Sequence, residues 1–170
     1  MAEIRDARPE DAEAIAAINA AGWRAAYAGI IERDRLAALP VGAWAREIRA
    51  NLKDASGGTF SLVAEIDGEP VGSCFVLGPG RDRDLGPDIA ELVAIYVDPP
   101  RWRRGIGSAL LLAAHERTAR AGFAEMSLWT LSANEAARAF YERHGWRPDG
   151  SEQFHPLARA PAIRMRRPLP

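Results

Sequence analysis

The sequence predicts a mixed α/β fold in which helices flank both faces of a central sheet. Apolar residues follow helical spacing in the first third of the chain and in two later segments, while other runs alternate or are continuously apolar. In chain order the pattern gives helices, an antiparallel meander, and then strand–helix–strand–helix–strand. With 170 residues and 48% hydrophobic composition, we expect a single domain over residues 1–170.

The first third of the chain reads as one short strand followed by helices. Ile4–Arg8 is a strand candidate, and Pro9 begins a helix pattern that continues until Gly29. The apolar residues that carry its spacing are Ala14, Ile15, Ile18 and Ala21. Two further helical segments, Arg33–Leu39 and Val41–Asp54, follow.

The middle of the chain changes to strand patterning. Phe60–Ile66 alternates, and Asp67-Gly68 is a strong hairpin signal before the return strand Val71–Leu77. Gly78–Pro87 is rich in glycine, proline and acidic residues and is predicted to be a loop. Ile89–Val97 is apolar on both faces, so we expect a central strand that is covered on both sides.

The last part of the sequence predicts two more helices and the strands that follow them. Gly105–Ala121 has helical spacing, and Phe123–Leu131 is the next strand. Ser132 and Glu135 have the spacing of a capping box that would begin a helix ending at Gly145. The last strand candidates, joined by an irregular loop, are Trp146–Pro148 and Ala162–Arg167.

Composition excludes several classes of function. The net charge is -1, with 22 basic and 23 acidic residues, which argues against nucleic acid as a partner. Cys74 is the sole cysteine, and no pair of histidines has metal-ligand spacing, so we expect no disulfide and no metal site. No apolar run reaches the length of a membrane span, and the charged N-terminus lacks the apolar core of a signal peptide. We therefore expect a cytoplasmic protein without a membrane partner.

The segment 97–110 has the features of an anion site. It follows a buried strand and begins a helix, where backbone N–H groups lack intrahelical partners and the helix dipole is positive. Gly105 and Gly107 carry no Cβ, so an anion can approach the main chain. Local positive charge comes from Arg101, Arg103 and Arg104. These features suit a pyrophosphate, although glycines and arginines before a helix also occur in ordinary solvated turns.

At these residues the chain resembles the GNAT superfamily of N-acetyltransferases. The family pattern [Q/R]-x-x-G-x-[G/A], after a strand ending in V-x-P, matches at Gly105 and Gly107, while Trp102 stands at the Gln/Arg position. A second segment, Asn134–Trp146, resembles the family's N-x-x-A-x-x-F-Y-x-x-x-G-[FW] helix. The two motifs occur in the family's order, and the GNAT fold is a central mixed sheet of the predicted kind.

The resemblance implies an activity and a co-substrate. It implies that acetyl passes from acetyl-CoA to a primary amine of a small molecule or peptide, by direct attack in a ternary complex. The main chain of the family's splayed central strand would contact the acetyl and pantetheine groups. The implied cofactor contacts are Ile95, Val97, Trp102, Arg103, Arg104, Gly105, Ile106, Gly107, Ser108, Asn134 and Ala137. Homodimers are common in the family, but this sequence does not fix the oligomeric state.

Two residues are predicted to carry the chemistry. The resemblance implies that Tyr141 faces the thioester sulfur and protonates the departing thiolate, whereas the neighbouring Phe140 is predicted to be a core aromatic. Glu91 is the only charged residue in its apolar strand, and a carboxylate there can relay a proton from the amine through water. Alternatively, Glu91 lies at the open end of the strand and pairs with an arginine.

The acceptor site is predicted less sharply. Trp23 and Tyr27 could form an aromatic wall for it, or they could attach the first helix to the core. The loop acids could attract a cationic amine or simply be solvated; they are Asp82, Asp84 and Asp88. The histidines are weak signals: His115 is predicted to lie on a solvated face, His144 precedes a helix end, and His155 is a loop residue that could border the acceptor site. Cys74 is predicted to be a buried structural thiol.

Two other classes of function remain as alternatives to an enzyme. One is a non-catalytic acyl-CoA-binding or sensing module on the same fold, which would need neither Tyr141 nor Glu91. The other is an interaction protein that has lost the cofactor, against which the Gly105–Gly107 loop argues. The sequence therefore favours the N-acetyltransferase.

Overall fold

The computed structural model describes residues 2–170, which form seven strands and five α-helices. The strands are β1 (Glu3–Asp6), β2 (Phe60–Ile66), β3 (Glu69–Leu77), β4 (Ile89–Val97), β5 (Glu125–Leu131), β6 (Arg147–His155) and β7 (Ala160–Pro168). The helices are α1 (Ala12–Ala26), α2 (Arg33–Ala37), α3 (Val41–Lys53), α4 (Ile106–Arg120) and α5 (Glu135–Arg143). Within these residues no helix combines the length and apolar composition that crossing a membrane requires.

All seven strands of the described chain join in one sheet with the order β1-β2-β3-β4-β5-β7-β6. Only β4 and β5 run parallel, and every other neighbouring pair is antiparallel. One apolar cluster includes Leu110 of α4 together with Trp146, and the other includes Trp23 of α1 together with Leu36 of α2. The predicted mixed α/β architecture with helices on both faces is therefore confirmed.

A β-bulge in β4 determines which side chains face which cluster. Ala94 pairs with Phe75 and Leu92 pairs with Val76, so Val93 is an extra residue between them. A bulge of one residue reverses the alternation of side chains along the strand. As a result Ala90 and Leu92 before the bulge, and Ile95 and Val97 after it, all pack on the α4 side.

The parallel strands β4 and β5 pair over a short distance and then separate. Ile89–Glu91 of β4 pairs with Glu125–Ser127 of β5, and no pairing continues beyond these residues in the described chain. The second half of β4 therefore has a free edge on the side of β5, although both strands belong to the interior of the sheet. The splayed central strand that the family resemblance implies is therefore present in β4.

The last hairpin corrects the prediction for the C-terminal part. A short strand at Trp146–Pro148 followed by an irregular loop was expected, but β6 spans Arg147–His155 and pairs with β7. The register shifts between Pro148 and Glu152, so a bulge accommodates Gly150 and its neighbours. Because β6 is an edge strand whose residues are mostly exposed, it lacks the alternating apolar residues on which the sequence prediction depended.

The start of α5 also differs from the prediction. The capping box of Ser132 and Glu135 is wrong, because the N-cap is Asn134. The Asn134 Oδ1 accepts a hydrogen bond from the Ala137 N–H at 3.2 Å. The backbone N–H of Ser132 instead donates to Pro161 O of the last hairpin, which keeps Ser132 in line with β5 and delays the helix by two residues.

His115 is buried, which contradicts the prediction of a solvated face. Its side chain is 4% exposed, and its Nε2 accepts a hydrogen bond from the indole of the fully buried Trp146 at 3.2 Å. The sequence prediction relied on the adjacent Glu116 and Arg117, but on a helix such neighbours point in different directions. Burial lowers the pKa of His115 to about 4, because desolvation disfavours the imidazolium.

The buried His115 predicts a loss of stability in mild acid. Its pKa of about 4 in the folded protein lies below the ordinary value of about 6.5. The unfolded chain therefore binds the proton first, and the free energy of unfolding falls between pH 6.5 and pH 4 by up to about 3 kcal/mol. Urea unfolding of the wild type and of His115→Gln, whose amide can accept the Trp146 hydrogen bond, should show this excess slope only in the wild type. Parallel curves would contradict the assignment.

Candidate active site

Two cavities meet at the free edge of β4. The first, called the groove, has a volume of about 560 Å³ and lies between β4, the start of α4 and α5. The second, called the aromatic cavity, has a volume of about 660 Å³ and lies between α1, α3, the 78–88 loop and the β6–β7 turn. The wall that lines both consists of Tyr27, Val93, Ala94, Tyr96, Trp129 and Thr130.

The groove is lined by main-chain groups of β4 that have no strand partner. The Asp98 N–H donates to Val71 O at 2.9 Å, so this residue directs its backbone toward β3. In an antiparallel pair the direction alternates along the strand. Ile95 and Val97 therefore direct their N–H and C=O groups away from β3, into the groove, where β5 does not reach them.

The turn before α4 presents further main-chain donors to the groove. Arg103 and Gly105 both have left-handed backbone conformations, with φ of 60° and 80°, a feature of anion-binding turns. The first helical bond of α4 is donated by Ala109, so the N–H groups of the first helical residues lack an intrahelical acceptor. A Cβ on Gly105 would meet no atom within 4 Å, which leaves open space at these donors.

Trp102 occupies the position at which the family pattern has Gln or Arg. Its indole Nε1 donates to the Val97 carbonyl at 2.7 Å, and its ring lines the groove. The side chain thus satisfies a carbonyl at the free edge of β4 and covers one side of the groove. Trp102 remains 42% exposed, so it forms an outer rim of the groove.

Helix α5 forms the opposite side of the groove. Asn134, Ala137 and Tyr141 line it, as the motif predicts for one helix face. Phe140 lines it as well, while also packing against the larger apolar cluster. Burial raises the pKa of the Tyr141 hydroxyl well above its ordinary value, so Tyr141 is a protonated phenol at neutral pH.

Two more tyrosines stand in the shared wall. The Tyr27 and Tyr96 hydroxyls lie 3.4 Å apart, and burial raises the pKa of both. The Tyr96 ring packs closely on α1 at Gly22, where a Cβ would approach the ring to 2.7 Å. Gly22 is therefore required for the position of Tyr96, which the sequence analysis did not identify as a site residue.

Glu91 is buried in its strand and is also paired with an arginine, so it has features of both predicted alternatives. It is 3% exposed and lines the aromatic cavity. Its carboxylate also accepts three hydrogen bonds from Arg81, from the backbone N–H, from Nε at 3.0 Å and from Nη2 at 2.6 Å. Because it lies four residues before Ile95, it is roughly 13 Å away along the strand, so any proton transfer from an amine near Ile95 needs intervening water.

The acidic loop is bound by a buried arginine. Arg164 of β7 is 5% exposed and makes ion pairs with Asp84 and Asp149 at 2.7 Å and with Asp82 at 3.4 Å. Asp82 also accepts from the Trp129 indole at 3.0 Å and lines the aromatic cavity. Asp82 and Asp84 are thus ion-paired rather than simply solvated, and only Asp82 of these two reaches the cavity lining.

Most of the predicted site residues lie together. Every predicted cofactor contact except Arg104 lines the groove, as does Tyr141. Trp23 lines the aromatic cavity and also packs in the smaller apolar cluster. His155 lines the same cavity. Residues that the motifs did not mark also line the groove, namely Tyr96, Trp129, Thr130 and Arg143.

The sequence also makes predictions for Cys74 and His144. Cys74 is fully buried, and burial raises the pKa of its thiol to about 12, so it is an inert structural thiol as predicted. His144 is the C-cap of α5 and directly precedes Gly145, the predicted helix stop. Its Nδ1 is 2.8 Å from the Phe140 carbonyl.

Comparison with known proteins shows the family of this chain. Residues 25–146 match the Acetyltransferase (GNAT) family. A probable N-acetyltransferase of Mycobacterium tuberculosis is 34% identical over 157 residues, which cover 86% of this chain and 80% of that protein. The uncharacterized N-acetyltransferase YuaI of Bacillus subtilis is 33% identical over 145 residues, covering 85% and 79%.

The fold comparison agrees with the sequence comparison. The PaiA N-acetyltransferase of Thermoplasma acidophilum, solved in complex with coenzyme A, superposes with a TM-score of 0.74 at 21% identity, covering 99% of both chains. This chain therefore belongs to the GNAT family of N-acetyltransferases and is an acetyltransferase.

Proposed function

We propose that this enzyme transfers the acetyl group of acetyl-CoA directly to a primary amine held in the aromatic cavity. The observation that supports this most strongly is that the groove and the aromatic cavity share a wall at the unpaired half of β4. A thioester bound along the groove and an amine bound in the cavity would meet there. Holding two reactants together in this way removes much of the entropic barrier to their reaction.

The bonds and protons of the proposed reaction balance. The amine nitrogen forms a bond to the thioester carbonyl carbon, the C–S bond breaks, the amine loses a proton and the coenzyme A thiolate gains one. A primary amine has an ordinary pKa near ~10, so it must lose a proton before it attacks. The protein needs donors for the developing oxyanion, a route for the amine proton, and a donor at the sulfur.

The free edge of β4 supplies the oxyanion donors in this proposal. The N–H groups of Ile95 and Val97 are fixed by the sheet and need no reorganisation during the reaction, which is the condition for effective electrostatic stabilisation. The Val97 carbonyl accepts a hydrogen bond from the Trp102 indole, which connects the strand edge to the turn before α4. Trp102 thus acts as a positioning residue for β4.

The turn before α4 is proposed to hold the pyrophosphate. Its free N–H groups, open space at Gly105, and the side chains of Arg101 and Arg103 at the groove fit a diphosphate. The solved relative bound to coenzyme A supports this use of the fold. The fit rests on the main chain, so the departure at Trp102 does not remove it.

A pair of substitutions at Gly105 tests the pyrophosphate site. Gly105 has φ of 80°, a conformation that both Asn and Asp tolerate better than other residues. Gly105→Asn and Gly105→Asp add side chains of similar size, so their difference isolates the added negative charge. We expect calorimetry to show acetyl-CoA binding at least about tenfold weaker for Asp than for Asn, because the added carboxylate repels the pyrophosphate and juxtaposed like charges oppose binding. Equal affinities in two folded variants would contradict this placement.

Glu91 is proposed to accept the amine proton through water. Glu91→Gln should lower kcat roughly 100-fold at pH 7 and much less at pH 9.5, where the amine deprotonates without help. Arg81→Gln is the matched control, since it breaks the same ion pair and leaves the carboxylate. If the pair is only structural, both variants will lose activity equally at every pH.

Tyr141 is proposed to donate to the leaving sulfur. Burial raises the pKa of its hydroxyl, which makes it a weaker acid, but the same desolvation makes a thiolate more basic. The buried thiol of Cys74, with its pKa raised to about 12 by burial, illustrates the size of that effect in this protein. A proton held on the Tyr141 oxygen is therefore available to a thiolate that forms beside it.

Tyr141→Phe keeps the ring and removes only the hydroxyl. We expect kcat to fall about 10–100-fold, at the low end for general acid catalysis because a thiolate is a fair leaving group. Acetyl-CoA affinity should change by less than ~1 kcal/mol, the scale of one neutral hydrogen bond. Tyr27→Phe, which removes a hydroxyl from the shared wall, should retain most of the turnover.

Full turnover in a folded Tyr141→Phe variant, with chemistry shown to be rate-limiting, would exclude this role. If acetyl-CoA binds tightly to the wild type but no amine is ever acetylated, a non-catalytic acyl-CoA-binding module becomes the better interpretation.

A further inference from the structure

The aromatic cavity is lined by a connected cluster of rings. Trp23 lies at its centre, with ring centroids 5.0 Å from Tyr27, 5.7 Å from Trp44 and 5.8 Å from His155. Trp129 adds another ring from the shared wall, close to the free edge of β4. Ring surfaces of this kind favour a flat, apolar group over an extended polar one.

The rings are held in place before any ligand binds. The Trp129 indole donates to Asp82, and Asp82 is itself ion-paired with the buried Arg164. Trp23 is only 9% exposed and packs in the smaller apolar cluster. A ligand that fits between fixed rings loses less free energy to side-chain ordering, so the shape of the cavity selects among acceptors.

The charges of the cavity favour a cation. Its lining includes the carboxylates of Glu47, Asp82 and Glu91, and Arg81 is the only arginine or lysine among the lining residues that the structure describes. Arg81 is already ion-paired with Glu91. Asp82 is likewise ion-paired with Arg164, so an ammonium group would find the carboxylate of Glu47 and the ring faces, both of which attract it.

A carboxylate on the ligand would find no free cation there. His155 is the one other lining residue that could carry positive charge, and its Nδ1 accepts the Ala158 N–H at 3.1 Å. Burial lowers the pKa of His155, so its imidazole is neutral at pH 7. A buried carboxylate without a charged partner is strongly disfavoured, and the cavity acids would repel it.

Resting on the proposed function, we infer that the acceptor is a hydrophobic primary amine with no carboxylate beside the amine, an arylalkylamine of the 2-phenylethylamine type. The rings bind the aryl group, while the Glu47 carboxylate attracts the ammonium before it is deprotonated. We then expect three other kinds of amine to be poorer acceptors: a free α-amino acid, an aliphatic polyamine and a peptide N-terminus. The experiment below compares each of them with the arylalkylamine.

The decisive comparison is 2-phenylethylamine against L-phenylalanine, which differ only by a carboxylate. With acetyl-CoA in excess, we expect kcat/KM for the amine to be at least about tenfold higher, because like charges placed together oppose binding. Propylamine tests the need for the ring, spermidine tests charge without a ring, and a short peptide beginning with alanine tests the peptide alternative.

Two variants connect the preference to the cavity. Glu47 is exposed at the cavity edge and has no ion-pair partner among residues 2–170, so Glu47→Gln should raise KM for 2-phenylethylamine several-fold and leave kcat unchanged. Glu69→Gln removes the same charge from the exposed start of β3, outside the cavity, and should change neither. Trp44→Ala should reduce the ratio of kcat/KM for 2-phenylethylamine to that for propylamine, a ratio that general loss of structure would not alter.

Binding is also measured without turnover, so the two proposals can fail separately. Calorimetry on protein saturated with coenzyme A should detect 2-phenylethylamine and show much weaker binding of L-phenylalanine. Acetylation of L-phenylalanine, spermidine or the peptide with equal or greater efficiency would overturn the inference and leave the acetyltransferase proposal intact. Binding of 2-phenylethylamine without acetylation of any amine would instead contradict the proposed function.

Discussion

The separation of β4 from β5 creates the free strand edge at which both cavities meet. β4 is bonded along one side to β3, and β5 is bonded along its whole length to β7. The two strands pair with each other only at Ile89–Glu91, so each is stabilised by its outer neighbour while the inner edges diverge. This arrangement exposes main-chain N–H groups in the middle of a stable sheet, where neighbouring strands ordinarily form hydrogen bonds with each other.

The bulge at Val93 and the glycine at position 22 complete this arrangement. Without the extra residue, Ile95 and Val97 would exchange faces with Ala94 and Tyr96, and the apolar side chains would lose their cluster. Gly22 then permits the Tyr96 ring to lie against α1. The position of the wall between the two cavities therefore depends on two features. One is the bulge in β4, and the other is the lack of a Cβ at Gly22 of α1.

Charge is divided between the two sides of that wall. The groove begins at a turn with free N–H groups and with Arg101 and Arg103 in its lining, whereas the aromatic cavity has carboxylates in its lining. The net charge of -1 conceals this division, because opposite charges occupy different surfaces. Local potentials of this kind influence which ligands enter which cavity, and in the proposed function they suit a phosphate-bearing co-substrate on one side and an amine on the other.

Features that depend on local order along the chain are predictable from the sequence alone. Helical and alternating patterns predicted most elements, and the Gly105–Gly107 and Asn134–Tyr141 motifs identified both sides of the groove, because each motif lies within one turn or helix. The other features depend on tertiary contacts. The extent of β6, the burial of His115 against Trp146, the partner of Glu91 and the ring cluster around Trp23 each depend on residues far apart in sequence. Their side chains meet only when the strands pair and the helices pack, so no local pattern records them.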